Sequence, residues 1–166
     1  MNRVWVIGDL HFGHKKAAEF RGFTTLVDHD AILAAMWNAV VRPKDTVWVL
    51  GDVAFGNKEE SLKILSTMHG DKRLVLGNHD QADSSLYLKY FTRLYACAVV
   101  KNVLLTHMPV HPNQLDRFGF NVHGHMHYQS VEGEYAYRYF CASAERVNLT
   151  PILLDDVVYK LHSSSM

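Results

Sequence analysis

Cysteine, proline and net charge are all scarce in this chain of 166 residues, and each scarcity narrows what it can be. Its two cysteines, Cys97 and Cys141, are too few for a disulfide framework. Both sit in apolar, strand-like runs, which predicts buried, reduced thiols and, by default, a cytoplasmic location. The four prolines are scattered and no Pro-, Gly- or Ser-rich stretch divides the sequence, so residues 1–166 read as one domain. Lysine plus arginine and aspartate plus glutamate both number 17, a balance that argues against attachment to long nucleic acid or an anionic membrane through bulk charge. No apolar run approaches the roughly 18 residues of a membrane helix. The start, Val4 to Gly8 and then Asp9, meets an acid too soon for a signal peptide.

What is present is the balance of a globular protein, 48% apolar and 20% charged, with an unusual 11 histidines. The recurring unit is a short β-branched or aromatic run that stops abruptly in glycine and polar residues. Such runs cover residues 4–7, 46–50, 73–76, 103–105 and 120–122. Between the first three lie helical patterns. Asp28 is placed to cap a helix carrying Ile32, Leu33, Met36, Trp37, Val40 and Val41, which Pro43 stops. Asn57 and Glu60 form a capping-box pattern that opens a second helix running to Gly70. A third is expected from Ser84 to about Phe91, capped by Asp83. Residues 94–100 and 103–105 read as a hairpin around Lys101 and Asn102, and 135–141 as a further strand. The order predicts an α/β protein, parallel strands first and antiparallel ones later, with its polar motifs at the carboxyl edge of a sheet.

At those strand ends stand Asp9, His11, Asp52, Asn78, His107, His125 and His127. All are nitrogen or oxygen donors, a set suited to Mn, Fe, Zn or Ni rather than a thiolate cage. Seven ligands exceed one tetrahedral ion but suffice for two if a carboxylate bridges. In extended backbone, residues i and i+2 face one side, so Asp9 with His11, and His125 with His127, are each expected to converge. Glycines 8, 51, 77 and 124 leave room for sharp turns beside a crowded site.

In order along the chain, these fragments form the pattern D-x-H, GD, GNH[DE], H, GH-x-H. They stand here as Asp9-Leu10-His11, Gly51-Asp52, Gly77-Asn78-His79-Asp80, His107 and Gly124-His125-Met126-His127. The sequence thereby resembles the calcineurin-like metallophosphoesterase family, in the small, capless form of bacteria and their phages. The resemblance implies a four-layer αββα sandwich of two mixed β-sheets flanked by helices, with a dimetal site at the sheet edges. It implies two divalent ions, Mn²⁺ first and Zn²⁺, Fe²⁺ or Ni²⁺ as alternatives. Asp9, His11, Asp52 and His127 would hold one ion; Asp52, Asn78, His107 and His125 would hold the other. His79 would donate a proton to the leaving oxygen, oriented by Asp80. The implied reaction is hydrolysis of phosphodiesters, phosphomonoesters or both by in-line attack of a metal-bridging hydroxide. The expected substrate is a small phosphoester, a nucleotide or cyclic nucleotide among the candidates, with no membrane partner. Two rivals are a nuclease of the same fold and a non-catalytic metal-binding scaffold.

The remaining polar residues carry bland and sharp readings together. His14, Lys15, Arg21 and Arg117 sit where a loop residue could meet a phosphate or simply solvent. His111 lies past Pro109 and suits a rim or loop role, while His123 suits packing or a supporting hydrogen bond. His29, His69 and His162 read as structural or exposed, and Trp5, Trp37 and Trp48 as core. Residues 12–25 and 108–118 read as short loops.

Overall fold

The structure, a computed structural model, describes residues 2–164. In chain order it contains β1 (Val4–Ile7), α1 (Lys15–Phe20), α2 (Leu26–Val40), β2 (Thr46–Val49), α3 (Lys58–Ser61), β3 (Asp71–Val75), α4 (Ser84–Tyr87) and β4 (Arg93–Tyr95). There follow β5 (Ala98–Val100), β6 (Val103–Leu105), α5 (Leu115–Phe118), β7 (Phe120–His123), β8 (Tyr139–Cys141), β9 (Ile152–Leu153) and α6 (Leu154–Ser163). One sheet has the order β4-β3-β2-β1-β9 and the other β5-β6-β7-β8. Both are mixed, and helices flank them in an αββα arrangement. Among the described residues no helix is long and apolar enough to cross a membrane.

Alternation along the strands builds two cores from one set of residues. Val6, Trp48 and Val75 point between the sheets and meet Val103, Leu105 and Val122. Their neighbours Ile7, Val47, Val49 and Leu74 point the other way, against Leu33, Trp37 and Val41 of the α2 segment and against Leu62 and Leu65. Strands apolar on both faces are what parallel strands inside a layered α/β fold require. The layer outside the second sheet is thin, with α5 anchoring through fully buried Leu115.

Register decides where the polar motifs go. Ile7 lies beside Val49, and Val49 beside Leu74, so three loops leave the first sheet at one edge. Leu105 beside Val122, and His123 beside Cys141, do the same for the second sheet. Gly8 ties the two edges together, donating to the Ala142 carbonyl at 2.7 Å and accepting from the Ala144 amide at 2.9 Å.

Several sequence expectations change. Thr25, not Asp28, caps α2: its hydroxyl accepts from the Asp28 amide at 3.0 Å and donates to the Asp28 carboxylate at 2.7 Å. The helix therefore starts a turn earlier, and of its expected apolar positions Ile32 and Met36 lie exposed. Asn57 does accept from the Glu60 amide, yet only one α-turn follows before a 3₁₀ segment, Leu62–Thr67. The third helix is likewise one turn, with Asp83 capping it through the Ser85 amide.

The run 94–100 is not one hairpin arm. Its first part pairs with β3 in one sheet, and its second pairs antiparallel with β6 in the other. The crossing between sheets leaves Cys97 exposed, and Cys141 is only partly buried, so neither thiol is the core residue expected. Beyond β5 the strands β6, β7 and β8 run parallel, because segments 106–119 and 124–138 are long enough to cross over. Residues 136–138 of the expected last strand form a 3₁₀ turn instead. The two supposed loops contain α1 and α5.

Candidate metal centre

Asp9 and His11 follow β1, Asp52 follows β2, Asn78 follows β3, His107 follows β6, and His125 and His127 follow β7. Five of these hold a left-handed backbone: Asp9 (φ 55°), His11 (56°), Asp52 (54°), His125 (66°) and His127 (50°). The expected convergence of D-x-H and H-x-H through extended-strand parity is thus incorrect. Each pair alternates a left-handed residue with an ordinary one beyond the strand end. A left-handed conformation costs a non-glycine residue on the order of 1–2 kcal/mol, so surrounding contacts must impose it. The Asp9 and His11 amides donate to the carbonyls of Gly51 at 3.0 Å and Asp52 at 3.1 Å, and the His125 amide donates to Asp9 Oδ2 at 2.9 Å. Close approach does the rest. A Cβ on Gly77 would stand 2.3 Å from Asp52 Oδ1, and one on Gly124 would stand 2.6 Å from Asp9 Oδ2.

The side chains gather in two groups, Asp9 with His11 and His127, and Asp52 with His107 and His125, with ligand atoms in each group within 4.8 Å of one another. Asp52 Oδ2 stands between them, 3.9 Å from His11 Nε2 and 3.4 Å from His107 Nε2. Asn78 joins the second group, its Oδ1 2.8 Å from His107 Nε2. His125 and His127 do not share a point; they divide between the groups.

Whether this set suits cations can be read from its own polar balance. Among the described residues three buried side-chain polar atoms lack a hydrogen-bond partner, and two are Asp9 Oδ1 and His11 Nε2, which face each other at 3.9 Å. Native interiors rarely leave such atoms unpaired. Burial pushes the Asp9 carboxyl up to about 6 against the Ser143 bond and nearby histidines, and drives His11 down to about 3, with Arg21 adding to it. A carboxylate and a neutral imidazole converging without a proton between them are what a divalent ion accepts. The residues fit the group.

Support for the first group comes from residues outside the motifs. Glu145 meets His127 Nδ1 through one oxygen and Arg21 through the other, the latter at 2.7 Å. The Arg21 side chain, read from the sequence as a loop residue meeting solvent or a phosphate, is instead buried and committed. It donates to the main-chain oxygens of Asp9 at 2.6 Å and Leu10 at 3.0 Å, and to His29 Nε2 at 2.9 Å. Because arginine only donates, His29 accepts at Nε2, and its Nδ1–H points to Asp30 at 2.7 Å. Ser143 Oγ donates to Asp9 Oδ2 at 2.7 Å. The motifs gave no sign of Glu145 or Ser143, which act from 136 and 134 residues beyond Asp9.

Asp80 departs from the role of orienting the His79 ring. Its carboxylate accepts from the main-chain amides of Asp52 and Gly77, both at 2.8 Å, and Val53 at 3.0 Å, so it fixes the loops that carry Asp52 and Asn78. His79 is exposed, its amide donates to Asp52 Oδ1 at 2.9 Å, and its ring lies 4.9 Å from Phe55. Phe55 stacks on His14 at 4.2 Å, and His14 Nδ1 is 3.3 Å from His11 Nδ1.

The other histidines lie apart from the two groups. His111 accepts from the Asn113 amide on an exposed turn, and His123 is buried with Nδ1 on the Gly124 carbonyl. His69 meets the Val41 carbonyl and His162 packs on Phe120. Lys15 and Arg117 are exposed.

Two ligand groups at facing sheet edges, with Asp52 Oδ2 lying between His11 and His107, have relatives. Residues 2–134 match the calcineurin-like phosphoesterase family. The chain belongs to that family. Its relatives include the Gene 66 protein of Mycobacterium phage L5, 45% identical over 84 residues, which are 48% of this chain and 41% of that one. The Gene 66 protein of Mycobacterium phage D29 is 33% identical over 130 residues, 66% of this chain and 65% of that one. The chain thus spans less than two thirds of either phage protein. A solved structure from Aquifex aeolicus, of a protein of unknown function, superposes with a TM-score of 0.70 at 25% identity, covering 96% of this chain and 99% of that one. As a calcineurin-like phosphoesterase, the chain carries two candidate metal-ligand groups.

Proposed function

We propose that this phosphoesterase hydrolyses small phosphodiesters, and phosphomonoesters as well, at a dinuclear centre built from the seven residues above. The observation that carries the reading is Asp52 Oδ2 standing between two triads, one of which has unpaired Asp9 Oδ1 and His11 Nε2 pointing inward. Asp9, His11, Asp52 and His127 would hold one ion, and Asp52, Asn78, His107 and His125 the other. Manganese is the first candidate, with zinc, iron and nickel as alternatives. Ions bound there would polarise phosphoryl oxygens and acidify water. The chain's own part is positional and acid–base. Asp80 and the Gly77 and Gly124 contacts hold the ligand loops, Glu145 fixes the His127 ring, and exposed His79 supplies a proton to the leaving oxygen. Residues 1–166 act as one such domain. Among the described residues no second domain lies over the site, which leaves the second ester group of a diester room to point outward.

The test compares bis(p-nitrophenyl) phosphate and p-nitrophenyl phosphate with protein loaded by each metal, alongside elemental analysis. We expect about two ions per chain, and diester turnover at least equal to monoester turnover. Monoesterase activity without diesterase activity refutes the substrate reading, and full metal content without any turnover favours the scaffold.

A further inference from the structure

Beside the Asp9, His11 and His127 group opens a pocket of about 560 Å³ whose further walls are α1 and the segment after His127. The volume lies within the range of small-molecule sites. Two aromatic side chains on it lie bare, Phe20 at 80% and Tyr128 at 57% exposure, with partly buried Met126 beside them. Neither ring belongs to a hydrophobic core cluster. The polar lining is lopsided. Lys16, Gln129 and His14 face the space, and its one acid, Glu145, is already spent on Arg21 and His127. An anionic ligand therefore meets no free carboxylate there. His11, His125 and His127 also line the pocket, so it opens directly onto both ligand groups.

We propose that this pocket receives the organic arm of the phosphoester, and that the arm is a flat aromatic ring, held by Phe20 and Tyr128. The proposal rests on the phosphoesterase reading above and adds the substrate class, aryl or nucleoside phosphoesters over alkyl ones. Rings present a face that side-chain aromatics stack on whatever the pattern of donors and acceptors, and the pocket offers few fixed polar groups to read such a pattern.

Calorimetric titration of the Mn-loaded protein tests it without turnover, using benzylphosphonate and ethylphosphonate, whose P–C bonds do not hydrolyse. Benzylphosphonate should bind roughly 5- to 150-fold more tightly, the range that stacking on an aromatic side chain gives. The double variant Phe20→Ala, Tyr128→Ala should erase that preference while ethylphosphonate binding holds. Both side chains are exposed, so the fold tolerates their loss. An adenosine 5′-phosphonate binding more tightly than benzylphosphonate assigns the ring to a nucleobase, and weaker binding assigns it to a simple aryl ester. Equal affinity for benzyl and ethyl compounds, or a preference that survives the double variant, overturns the pocket assignment alone. Failure of both phosphonates to bind overturns the phosphoester reading with it.

Discussion

The two ligand groups are built differently although a histidine of each lies within 4 Å of Asp52 Oδ2. The second group is held by contacts among its own side chains and to main-chain groups of the neighbouring strand ends. His107 Nδ1 lies 2.7 Å from the Leu50 carbonyl, its Nε2 lies 2.8 Å from Asn78 Oδ1 and 3.2 Å from His125 Nδ1, and Asp80 clasps three amides below. Among the described residues no buried side-chain polar atom of that group is left unpaired. The first group instead keeps two buried atoms unpaired and is braced by the side-chain chain Asp30, His29, Arg21, Glu145, His127. One group is specified by the loops after β2, β3, β6 and β7 clasping one another, the other by a buried ion pair between α1's end and the segment after β8. Removing one member of the ion-pair relay leaves its partner's charge buried and unpaired, which is costly.

The largest effect expected is the one that removes the comparison altogether. Asp52→Asn should strip both ions and bring diesterase activity close to background, whereas Asn78→Ala should weaken mainly the second ion. Elemental analysis of the two purified variants decides, and equal losses from both would contradict the bridging assignment.

Next comes His79, which belongs to neither group. His79→Asn should keep both ions yet slow alkyl or nucleoside esters by about 10²–10⁴-fold, the usual worth of a general acid. With a p-nitrophenol leaving group, whose anion needs no proton, the loss should be distinctly smaller. The same deficit for both leaving groups would make His79 a phosphate-binding residue instead.

Glu145→Gln separates the two groups most directly. Losing the charge behind His127 should weaken one ion by roughly 10–100-fold and leave the other nearly untouched. A metal titration should therefore change from one step to two. Uniform weakening of both ions would mean that the relay serves the fold rather than the first group.

The smallest effect on chemistry is expected far from both, at the amino end of the strands. Asp45 accepts from the Arg3 amide, the Trp5 indole and the Arg42 amide, each at 3.0 Å. Burial alone would raise its pKa, but these bonds and the Arg3 guanidinium hold it below the usual carboxylate range. A depressed native pKa means stability present above the unfolded value of about 3.9 and lost progressively as pH falls below it. Asp45→Asn should lower stability by about 1–3 kcal/mol at neutral pH, flatten the acid limb of the melting-temperature profile, and leave metal content unchanged. An unaltered acid limb would remove Asp45 from the account.

Much of this was legible in residue order. Short apolar runs ending in glycine and polar residues fall on β1, β2, β3, β6 and β7, because burial on both faces of a strand demands an unbroken apolar run. The same order brings all seven donor residues to strand ends, since a strand that stops must release its next residues at the sheet edge. Tertiary structure decided the rest. Residues 94–100 look like one strand, yet the pairing partners β3 and β6 lie in different sheets, so the run breaks and exposes Cys97. Residues 142–164 carry no motif, but pairing with β1 creates β9, and the gap between the sheets recruits Leu154, Val157 and Leu161 of α6. Convergence of Asp9 with His11 comes from left-handed backbone that neighbouring carbonyls impose, not from strand parity. Glu145 became part of the site only when Gly8 stitched the two sheet edges together at Ala142 and Ala144. Sequence alone thus determined which groups stand at the strand ends, because burial and periodicity act locally. Which of them meet, and what braces them, depended on contacts between segments on different strands, from tens of residues apart in the second group to more than a hundred in the first.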